Sequence, residues 1–564
     1  MARRQPKAFA VGVDYGTNSV RALVVDTATG RELAAHVHPY PSGRDGILLD
    51  ASDPNLARQN PADYIKGFFA AVGRAVRGAA KTRGFDPSAV VGIGIDTTGS
   101  TPLPVDARGA PLAMQPRFRN DLAAQAWLWK DHTGHAEAAE ITEAARRSGA
   151  PYLSKCGGTY SSEWFWSKIL HCRRTAPAVF RAAHSWVECC DFVPAYVTGN
   201  LDPLAMPRSI CAAGHKAMYH DAWGGLPSKA FLRKLSPDLA ALRDRLYERA
   251  VPSDHVAGHL TAAVARKVGL PAGLPVAVGG FDAHYGAVGS GVRAGTLVKI
   301  LGTSSCDMMV QPADSAPETI PGVCGIVPGS IVPGMVGIEA GQSAVGDIFN
   351  WFATHLCPPA LARGDAQANL TRAAARLRPG ESGLVALDWN NGNRTILIDP
   401  LLTGLLVGQT LHTTAPEIYR ALIEATAFGA LVIIRRLEEH GPKVREVVCA
   451  GGIAEKNPLL MQIYADVIGR PMKTSRSAQS CALGAALFGA VVGEAYPTTE
   501  AAQRKMTGVK ARVYRPDRAR SRVYAELFAV YRDLHDAFGT DTYDGKLNRA
   551  MKTLIAIRDR VRRT

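Results

Sequence analysis

The chain begins with two apolar, β-branched segments on either side of a short polar turn. Residues 9–15 and 19–26 are rich in valine, and the turn between them contains Gly16, Thr17 and Asn18. β-Branched residues favour strands, and a short polar turn joins two such strands as a hairpin. Because Gly16 has no Cβ, a ligand can approach the turn closely. We therefore predict a β-hairpin whose turn either holds a phosphate group or is an ordinary polar turn.

The same pattern returns in the middle of the chain, where residues 296–310 again give strand, Gly-Thr-Ser turn, strand. Elsewhere apolar strands alternate with helices. This alternation predicts α/β domains, and the repeated hairpin predicts two related domains that meet near residues 283–295, with a ligand cleft between them. The other predicted helices are residues 61–84, 121–148, 161–176, 415–440, 457–468, 482–493, 519–537 and 545–562. The other predicted strands are residues 90–96, 275–282 and, with its glycine turn, 446–453.

Length and composition fit a globular protein of two or three domains, since 564 residues exceed one core and 47% of them are hydrophobic. The net charge of +15 raises the question of nucleic acid. Residues 501–564 hold 16 lysines and arginines against 7 acidic residues, so most of that charge lies in one segment. No nucleic-acid-binding motif accompanies it. We therefore expect a solvated basic surface that attracts anionic substrates, and no nucleic-acid partner.

The ten cysteines are scattered and form no C-x-x-C pair, which is typical of reduced thiols in a cytoplasmic protein. The apolar run near the N-terminus is interrupted by Asp14, so we expect no signal peptide. No run of about 18 apolar residues occurs, so we expect no membrane partner.

Carboxylates end three of the predicted strands. Asp14 precedes the first turn, where it can hold the Mg²⁺ that accompanies a phosphate. Asp96 begins a run of hydroxyl residues, which either lines a sugar site or forms a capped turn. Asp282 lies among glycines, which packing explains poorly, and it either accepts a proton from a bound hydroxyl or caps the next helix.

Further candidates are fewer and have plain alternatives. The turn at Gly302 and Thr303 offers donors to phosphate, and Gly451 and Gly452 allow close approach of a nucleoside. Lys216 is by default a solvated lysine. The chain has no P-loop, no dinucleotide-binding G-x-G-x-x-G and no G-x-S-x-G elbow. His132 has no second histidine at metal-ligand spacing, so we expect it to be structural.

Taken together, these segments resemble the FGGY family of carbohydrate kinases, part of the actin, hexokinase and Hsp70 superfamily. They follow the family's order from residue 9 to about residue 495. Within the family, the substrate-side segments are most similar to members that phosphorylate L-ribulose. The segments are Val11–Arg21, Asp96–Pro102, Trp129–Thr133, Ser161–Trp166, Ala213–Lys216, Gly279–Gly286, Leu301–Cys306, Gly337–Ser343, Leu387–Thr395, Ala425–Ala430 and Ala450–Ile453.

The resemblance implies an α/β fold of two ribonuclease-H-like domains that close on ATP, Mg²⁺ and a ketopentose. The expected divisions are residues 1–285 on the sugar and metal side, residues 286–500 on the nucleotide side, and a basic helical extension at residues 501–564. The expected reaction is phosphorylation of the terminal (C5) hydroxyl of L-ribulose in L-arabinose catabolism. A homodimer is left open.

The resemblance also implies a role for individual residues. Asp282 becomes the base that takes the proton from the sugar hydroxyl, and Asp14 positions Mg²⁺. The expected sugar contacts are Gly99, Lys216, Asp282 and Glu339. The residues expected at the phosphates are Thr17, Asn18, Gly302 and Thr303. Those expected at the nucleoside are Gly451, Gly452 and Asn457.

Three other interpretations stay open at this point. The first is a kinase for another ketopentose, D-ribulose or xylulose, since these sugars differ only in the configuration of single hydroxyls. The second is a non-catalytic ATP-driven switch of the Hsp70 or actin type, which needs the phosphate turns but not Asp282 as a base. The third is a nucleic-acid binder, whose affinity would fall steeply with salt.

Overall fold

The computed structural model describes residues 7–563. The first half of the chain contains twelve strands and ten α-helices. The strands are β1 (Phe9–Tyr15), β2 (Ser19–Asp26), β3 (Arg31–Pro39), β4 (Leu48–Asp50), β5 (Asp53–Gln59), β6 (Val90–Thr97), β7 (Pro102–Val105), β8 (Ala126–Trp127), β9 (Ser185–Glu188), β10 (Val256–His259), β11 (Pro275–Ala277) and β12 (Gly280–Phe281). The helices are α1 (Pro61–Ala79), α2 (His135–Ser148), α3 (Phe165–Thr175), α4 (Pro177–Ala182), α5 (Cys189–Thr198), α6 (Ile210–Lys216), α7 (Lys229–Leu235), α8 (Pro237–Leu242), α9 (Ala262–Val268) and α10 (Asp282–Gly289).

The second half repeats this alternation of strands and helices. The strands are β13 (Thr296–Leu301), β14 (Ser305–Pro312), β15 (Gly325–Pro328), β16 (Met335–Ala340), β17 (Val385–Leu387), β18 (Leu405–Val407), β19 (Glu446–Ala450), β20 (Met472–Ser475) and β21 (Val509–Tyr514). The helices are α11 (Gly346–His355), α12 (Pro359–Ala362), α13 (Ala366–Ala374), α14 (Ala415–Glu439), α15 (Gly452–Lys456), α16 (Pro458–Ile468), α17 (Ser480–Val492), α18 (Thr499–Met506), α19 (Arg518–Gly539) and α20 (Ala550–Arg563).

Two sheets with the same connectivity organise the molecule. In the first sheet, β3, β2 and β1 form an antiparallel meander, and β6 and β11 continue it in parallel with β1. In the second sheet, β16, β14 and β13 form the meander, and β19 and β20 continue it in parallel. The predicted α/β fold with a duplicated hairpin module is therefore confirmed.

Helix α17 packs tightly against the first sheet, although it comes from the second half of the chain. Its sequence is almost entirely small and apolar, and it contacts glycines of β1 and β6. A Cβ on Gly12 would overlap the carbonyl oxygen of Ala482, and one on Gly94 would overlap that of Ala485. Helix α10 packs against the other side of α17, and the two helices share one apolar cluster between the sheets.

The segment 501–564 contributes to the second half rather than standing apart from it. Strand β21 is the outer strand of the second sheet, beside β20. Tyr524, Leu527 and Tyr531 of α19 and Leu554 of α20 lie in the core cluster of that half. The domain limits predicted at residues 285/286 and 500/501 stay predictions. No helix among residues 7–563 is long and apolar enough to cross a membrane.

The sequence-based helix at residues 121–148 is wrong in its first half. Only His135–Ser148 is α-helical, and it is preceded by a short 3₁₀ turn and by β8. Tertiary contacts override helix propensity here: Trp127 is 1% exposed in the core, and Asp131 is buried and accepts a hydrogen bond from the Ala57 amide at 2.8 Å. The predicted strand at residues 275–282 is likewise divided, because Gly279 packs against the Cys190 backbone and Asp282 begins α10.

The close contact between α17 and the first sheet gives a stability prediction. Gly94→Ala should lower the free energy of unfolding by about 2 kcal/mol or more, because the new methyl group has no space beside Ala485. Chemical denaturation monitored by circular dichroism measures this change. The matched control is Gly73→Ala in α1, where the nearest atom to the new Cβ is the mobile end of Arg77, at 3.3 Å, and the backbone of Lys267 lies at an ordinary contact distance of 3.7 Å. Equal stability of the two variants would contradict the packing argument.

Candidate active site

Three carboxyl groups meet at one edge of the first sheet. Asp14 and Asp96 are direct neighbours in the register of the parallel strands β1 and β6. Gly280 of β12 pairs with Asp96, and Asp282 follows that strand as the first residue of α10. Because the carboxyl ends of parallel strands share one edge of a sheet, the three side chains are brought together where α/β proteins commonly bind ligands.

Burial and mutual repulsion disfavour the ionised forms of this acidic cluster. Burial and the negative charges of Asp14 and Asp282 raise the pKa of Asp96 well above its usual range. Burial also raises the pKa of Asp14, although Arg21 lies 3.2 Å away and opposes the shift. Both carboxylate oxygens of Asp96 are buried without a hydrogen-bond partner. A buried carboxylate of this kind is suited to a cation as its missing partner.

Asp282 has the properties of a proton acceptor. Burial, reinforced by the charge of Asp14, raises the pKa of its carboxyl to about 7. Its Oδ1 atom accepts a hydrogen bond of 2.7 Å from the Ala283 amide, which leaves the other oxygen for a ligand. Asp282 is residue N1 of α10 rather than its N-cap, which is Phe281. A carboxylate that ionises near neutral pH is well matched to general-base chemistry.

Next to Asp282 lies a buried ion pair formed between the two halves of the chain. The Nζ atom of Lys216, at the end of α6, is 2.8 Å from Oε1 and 3.0 Å from Oε2 of Glu339 in β16. Burial opposes ionisation of Glu339, but Lys216 and a hydrogen bond from His284 outweigh it and hold the pKa well below its usual range. The default expectation of a solvated Lys216 is therefore wrong, since the residue is only 6% exposed.

Gly99 lies close to this ion pair, in the turn that follows β6. A Cβ at this position would overlap the ring of Phe281, the residue before Asp282. The Lys216 ammonium also lies 5.8 Å from the centroid of that ring. Gly99, Lys216, Glu339 and Asp282, which the sequence places far apart, thus surround one region.

A pair of buried charged residues fixes the turn that contains Gly99. Lys168 of α3 donates from Nζ to the Ser100 carbonyl at 2.8 Å, and to those of Trp127 and Leu128. The Glu188 carboxylate accepts hydrogen bonds from the Ser100 hydroxyl and, at 2.8 Å, from the Thr101 amide. Burial lowers the pKa of Lys168 to about 7 and raises that of Glu188 to about 7. Neither residue is predicted from the sequence, because no motif in its neighbourhood indicates a contact with the distant Ser100.

Hydrogen bonds to residues of other segments hold the first glycine turn in place. Thr17 Oγ1 accepts a hydrogen bond of 3.0 Å from Trp129 Nε1, and its carbonyl accepts one of 2.7 Å from Gln59. The amide of Asn18 donates to the Asp45 carbonyl at 2.7 Å and is therefore already engaged. The turn lies directly after Asp14, as predicted.

The second turn combines with two other segments of the second half. Gly302 and Thr303 are exposed, and their carbonyls accept hydrogen bonds from the first residues of α11. Gly451 adopts a φ of +97° and packs against the Leu301 backbone. A Cβ on Gly346, the first residue of α11, would lie 2.7 Å from the side chain of Ile453. The sequence analysis did not select Gly346.

Gly452 and Asn457 flank the short helix α15 beside this turn. Gly452 is exposed, with no other atoms near the position of a Cβ. The Asn457 carbonyl oxygen accepts a hydrogen bond of 3.0 Å from the Leu460 amide, so the residue caps α16. Helix capping thus occupies the side-chain carbonyl oxygen of Asn457, and only its side-chain NH₂ group remains for a ligand.

Two clusters outside the acidic edge have structural explanations. His132 Nδ1 lies 3.1 Å from the Ser162 hydroxyl, in keeping with a structural histidine. His215, His284 and Glu339 lie close enough to ligate a metal ion. Lys216 already places a positive charge on both oxygens of that carboxylate, however, and we assign no metal there.

Comparison with known proteins identifies the family of both halves. Residues 9–289 match the N-terminal domain, and residues 297–492 the C-terminal domain, of the FGGY family of carbohydrate kinases. A protein of Vibrio parahaemolyticus named ribulokinase is 41% identical over 93% of this chain and 95% of its own length. A ribulokinase of Shouchella clausii is also 41% identical, over 99% of both chains. The crystal structure of a xylulose kinase from Rhodospirillum rubrum superposes with a TM-score of 0.76 at 22% identity, covering 94% of this chain and 98% of that one, which supports the predicted two-domain fold.

The hydrogen bonds from Lys168 and Glu188 to the turn that contains Gly99 predict that the two residues contribute jointly to stability. Lys168→Met should lower the free energy of unfolding by about 3 kcal/mol, because it removes a buried donor to the carbonyls of Ser100, Trp127 and Leu128 and leaves Glu188 without a compensating charge. Thermal and urea unfolding measure the change. The double variant Lys168→Met/Glu188→Gln should lose less than the sum of the two single changes. Strict additivity would contradict a shared role for the two residues.

Proposed function

The chain belongs to the FGGY family of carbohydrate kinases, and from that premise we propose that it transfers the γ-phosphate of ATP to the C5 hydroxyl of L-ribulose. The relatives named ribulokinase, aligned over nearly the whole chain, support this choice among sugars. The observation that carries the chemistry is the juxtaposition of Asp282, poised to ionise near pH 7, with the Lys216–Glu339 pair on one side and the Asp14–Asp96 pair on the other.

Asp282 acts as the base in this proposal. Phosphoryl transfer requires an in-line oxygen nucleophile and charge neutralisation more than covalent catalysis. The free oxygen of Asp282 accepts the proton of the sugar's terminal hydroxyl, while the Ala283 amide holds the other oxygen. Since the pKa of Asp282 is raised to about 7, a large share of the enzyme carries an ionised base at neutral pH.

Mg²⁺ suits the acidic edge in this proposal. Asp96 offers two buried oxygens without a hydrogen-bond partner, and Asp14 adds a second carboxylate beside them. Oxygen ligands are those that Mg²⁺ prefers, and the ion would neutralise charge on the transferred phosphate. Asp14 alone was expected at the metal, and we add Asp96 to it.

The remaining candidates divide between the two ends of the cleft. In this proposal Lys216, Glu339 and Gly99 bind the hydroxyls of the sugar. The turns at Thr17–Asn18 and Gly302–Thr303 face the phosphates, where Asn18 offers its backbone and the second N–H of its side chain, since the first is bound to Asp45. Gly451, Gly452 and Asn457 accommodate the nucleoside, together with Gly346 at the start of α11.

The assay that tests the proposal measures ADP release in a coupled reaction against L-ribulose, D-ribulose, xylulose and polyols. We expect the highest kcat/KM with L-ribulose. A preference for another ketopentose would replace the substrate but keep the mechanism. ATP hydrolysis unaffected by any sugar would favour the Hsp70-like switch instead.

We also propose a cytoplasmic location and a homodimer. All ten cysteines are free, as a reducing compartment requires. Sedimentation of the purified protein tests the oligomeric state.

The proposed base gives the first activity prediction. Asp282→Asn should lower kcat by about 10²- to 10⁴-fold, because an amide cannot accept the hydroxyl proton. ATP binding, measured by isothermal titration calorimetry, should change little. Asp314→Asn, at an exposed position, serves as the matched control. Near-normal turnover of the Asp282 variant would show that another group is the base.

The raised pKa of Asp282 gives a second activity prediction. A carboxyl with a pKa of about 7 is ionised above that pH, so kcat/KM for the sugar should fall as the pH drops through about 7. The charge of Glu339 contributes to the raised pKa. Glu339→Gln should therefore lower the rate and also move the midpoint of this acid limb to lower pH. A profile that stays flat across neutral pH would contradict the assignment.

A further inference from the structure

One oxygen of Glu339 has more neighbours than Lys216 alone. The Oε2 atom lies 3.1 Å from Nε2 of His284 and 3.2 Å from Nδ1 of His215, in addition to its contact with Lys216 Nζ. Both imidazoles are about 1% exposed. The proposed function uses Lys216 and Glu339 but leaves both histidines without a role.

The hydrogen bonds around His284 determine which of its nitrogens carries the proton. Its Nδ1 atom lies 3.1 Å from Sγ of Cys211. Burial raises the pKa of the Cys211 thiol, so the sulfur keeps its proton and donates it to Nδ1. On the other side of the ring, the Glu339 carboxylate can only accept a hydrogen bond, so Nε2 carries a proton and donates it to Glu339. In this series of hydrogen bonds, Cys211 therefore donates to His284 and His284 donates to Glu339.

His215 lies at nearly the same distance but makes a different contact. Its Nε2 atom is 3.0 Å from the Ser330 hydroxyl, while its Nδ1 has no hydrogen bond with any of residues 7–563. The two rings meet edge to face, with centroids 4.6 Å apart. His215 thus packs against His284 without holding Glu339 in a defined orientation.

The position of His284 in the chain gives this contact its significance. His284 lies on the first turn of α10, two residues after Asp282, whereas Glu339 lies in β16 of the second sheet. The hydrogen bond from His284 therefore ties the segment that carries the proposed base to a carboxylate of the second sheet.

We propose that His284, supported by Cys211, is a positioning residue of the sugar site that orients Glu339 relative to Asp282. The inference rests on the proposed function, because Glu339 is a sugar contact only within it. His284 leaves the base and the acidic edge untouched. Its loss therefore weakens sugar binding and leaves ATP binding unchanged.

The decisive experiment compares two substitutions at His284 with one at His215. His284→Leu removes the donor, whereas His284→Gln can place an amide N–H close to the position of Nε2. We expect His284→Leu to raise the KM for L-ribulose by about 10- to 100-fold, the loss of one hydrogen bond to a charged group, with the KM for ATP unchanged. His284→Gln should restore most of the affinity, and His215→Gln should change KM by less than about threefold.

Several outcomes would overturn the proposal. These are an unchanged KM in His284→Leu, equal effects of the Leu and Gln variants, or an equal loss in His215→Gln. Failure of the proposed function is distinguishable, because the unmodified enzyme would then phosphorylate no ketopentose.

A measurement on the unmodified enzyme covers the case in which His284→Leu does not fold. Imidazole ¹⁵N chemical shifts, assigned by comparison with His284→Gln, report which nitrogen carries the proton. A proton on Nε2 with Nδ1 as an acceptor supports the positioning role, and a proton on Nδ1 refutes it.

Discussion

The constraint on which the rest of the structure depends is the repulsion among Asp14, Asp96 and Asp282 at one edge of the first sheet. The charge of Asp14 raises the pKa values of both Asp96 and Asp282, Asp282 raises that of Asp96 further, and the carboxylate oxygens of Asp96 lack a hydrogen-bond partner among residues 7–563. Such a cluster is unfavourable until a cation or substrate arrives, so a rigid scaffold must hold it. The scaffold is provided by α17, whose close contact with Gly12 and Gly94 locks β1 and β6 in register just behind the two carboxylates.

The duplicated fold divides the chemistry because the two copies differ at equivalent positions. When the turns at Gly16 and Gly302 are matched, Asp14 of β1 corresponds to Ile300 of β13. In the same register, Asp96 pairs with Asp14, whereas Ala450 pairs with Ile300. The second edge therefore keeps the glycine turn but has no carboxylate at either of these two positions. The paired carboxylates at the strand ends are thus a feature of the first copy alone among the matched positions.

Local features of the site could be predicted from the sequence, and features made by distant segments could not. The hairpin at residues 9–26 and the glycine turns are encoded within a few residues, and both appear where expected. The burial of Lys216 depends on Glu339, a residue 123 positions away, and no local pattern reports it. The same holds for Lys168 and Glu188, whose significance arises only because both reach Ser100.

Propensity failed where a tertiary partner imposed another conformation. Residues 121–134 favour a helix by composition, but Trp127 is needed in the core and Asp131 holds the Ala57 amide. The sequence marks Asp96 as a strand-end carboxylate, but only the register of β1 and β6 places it directly beside Asp14. The carboxylate oxygens of Asp96 lack a hydrogen-bond partner among residues 7–563 because of how this edge of the sheet folds, and no sequence pattern predicts that.

The proposed sugar contacts differ from the proposed metal ligands in coming from both halves of the chain. Asp14 and Asp96 come from neighbouring strands of one sheet, so their geometry is fixed whenever that sheet is folded. Glu339 comes from the second sheet, while Lys216 and His284 come from the first half. The ion pair is formed only when the halves are correctly apposed, because separating them would leave a buried charge on each side without its partner. In the proposed function, sugar recognition and the relative position of the two halves would thus depend on the same few contacts.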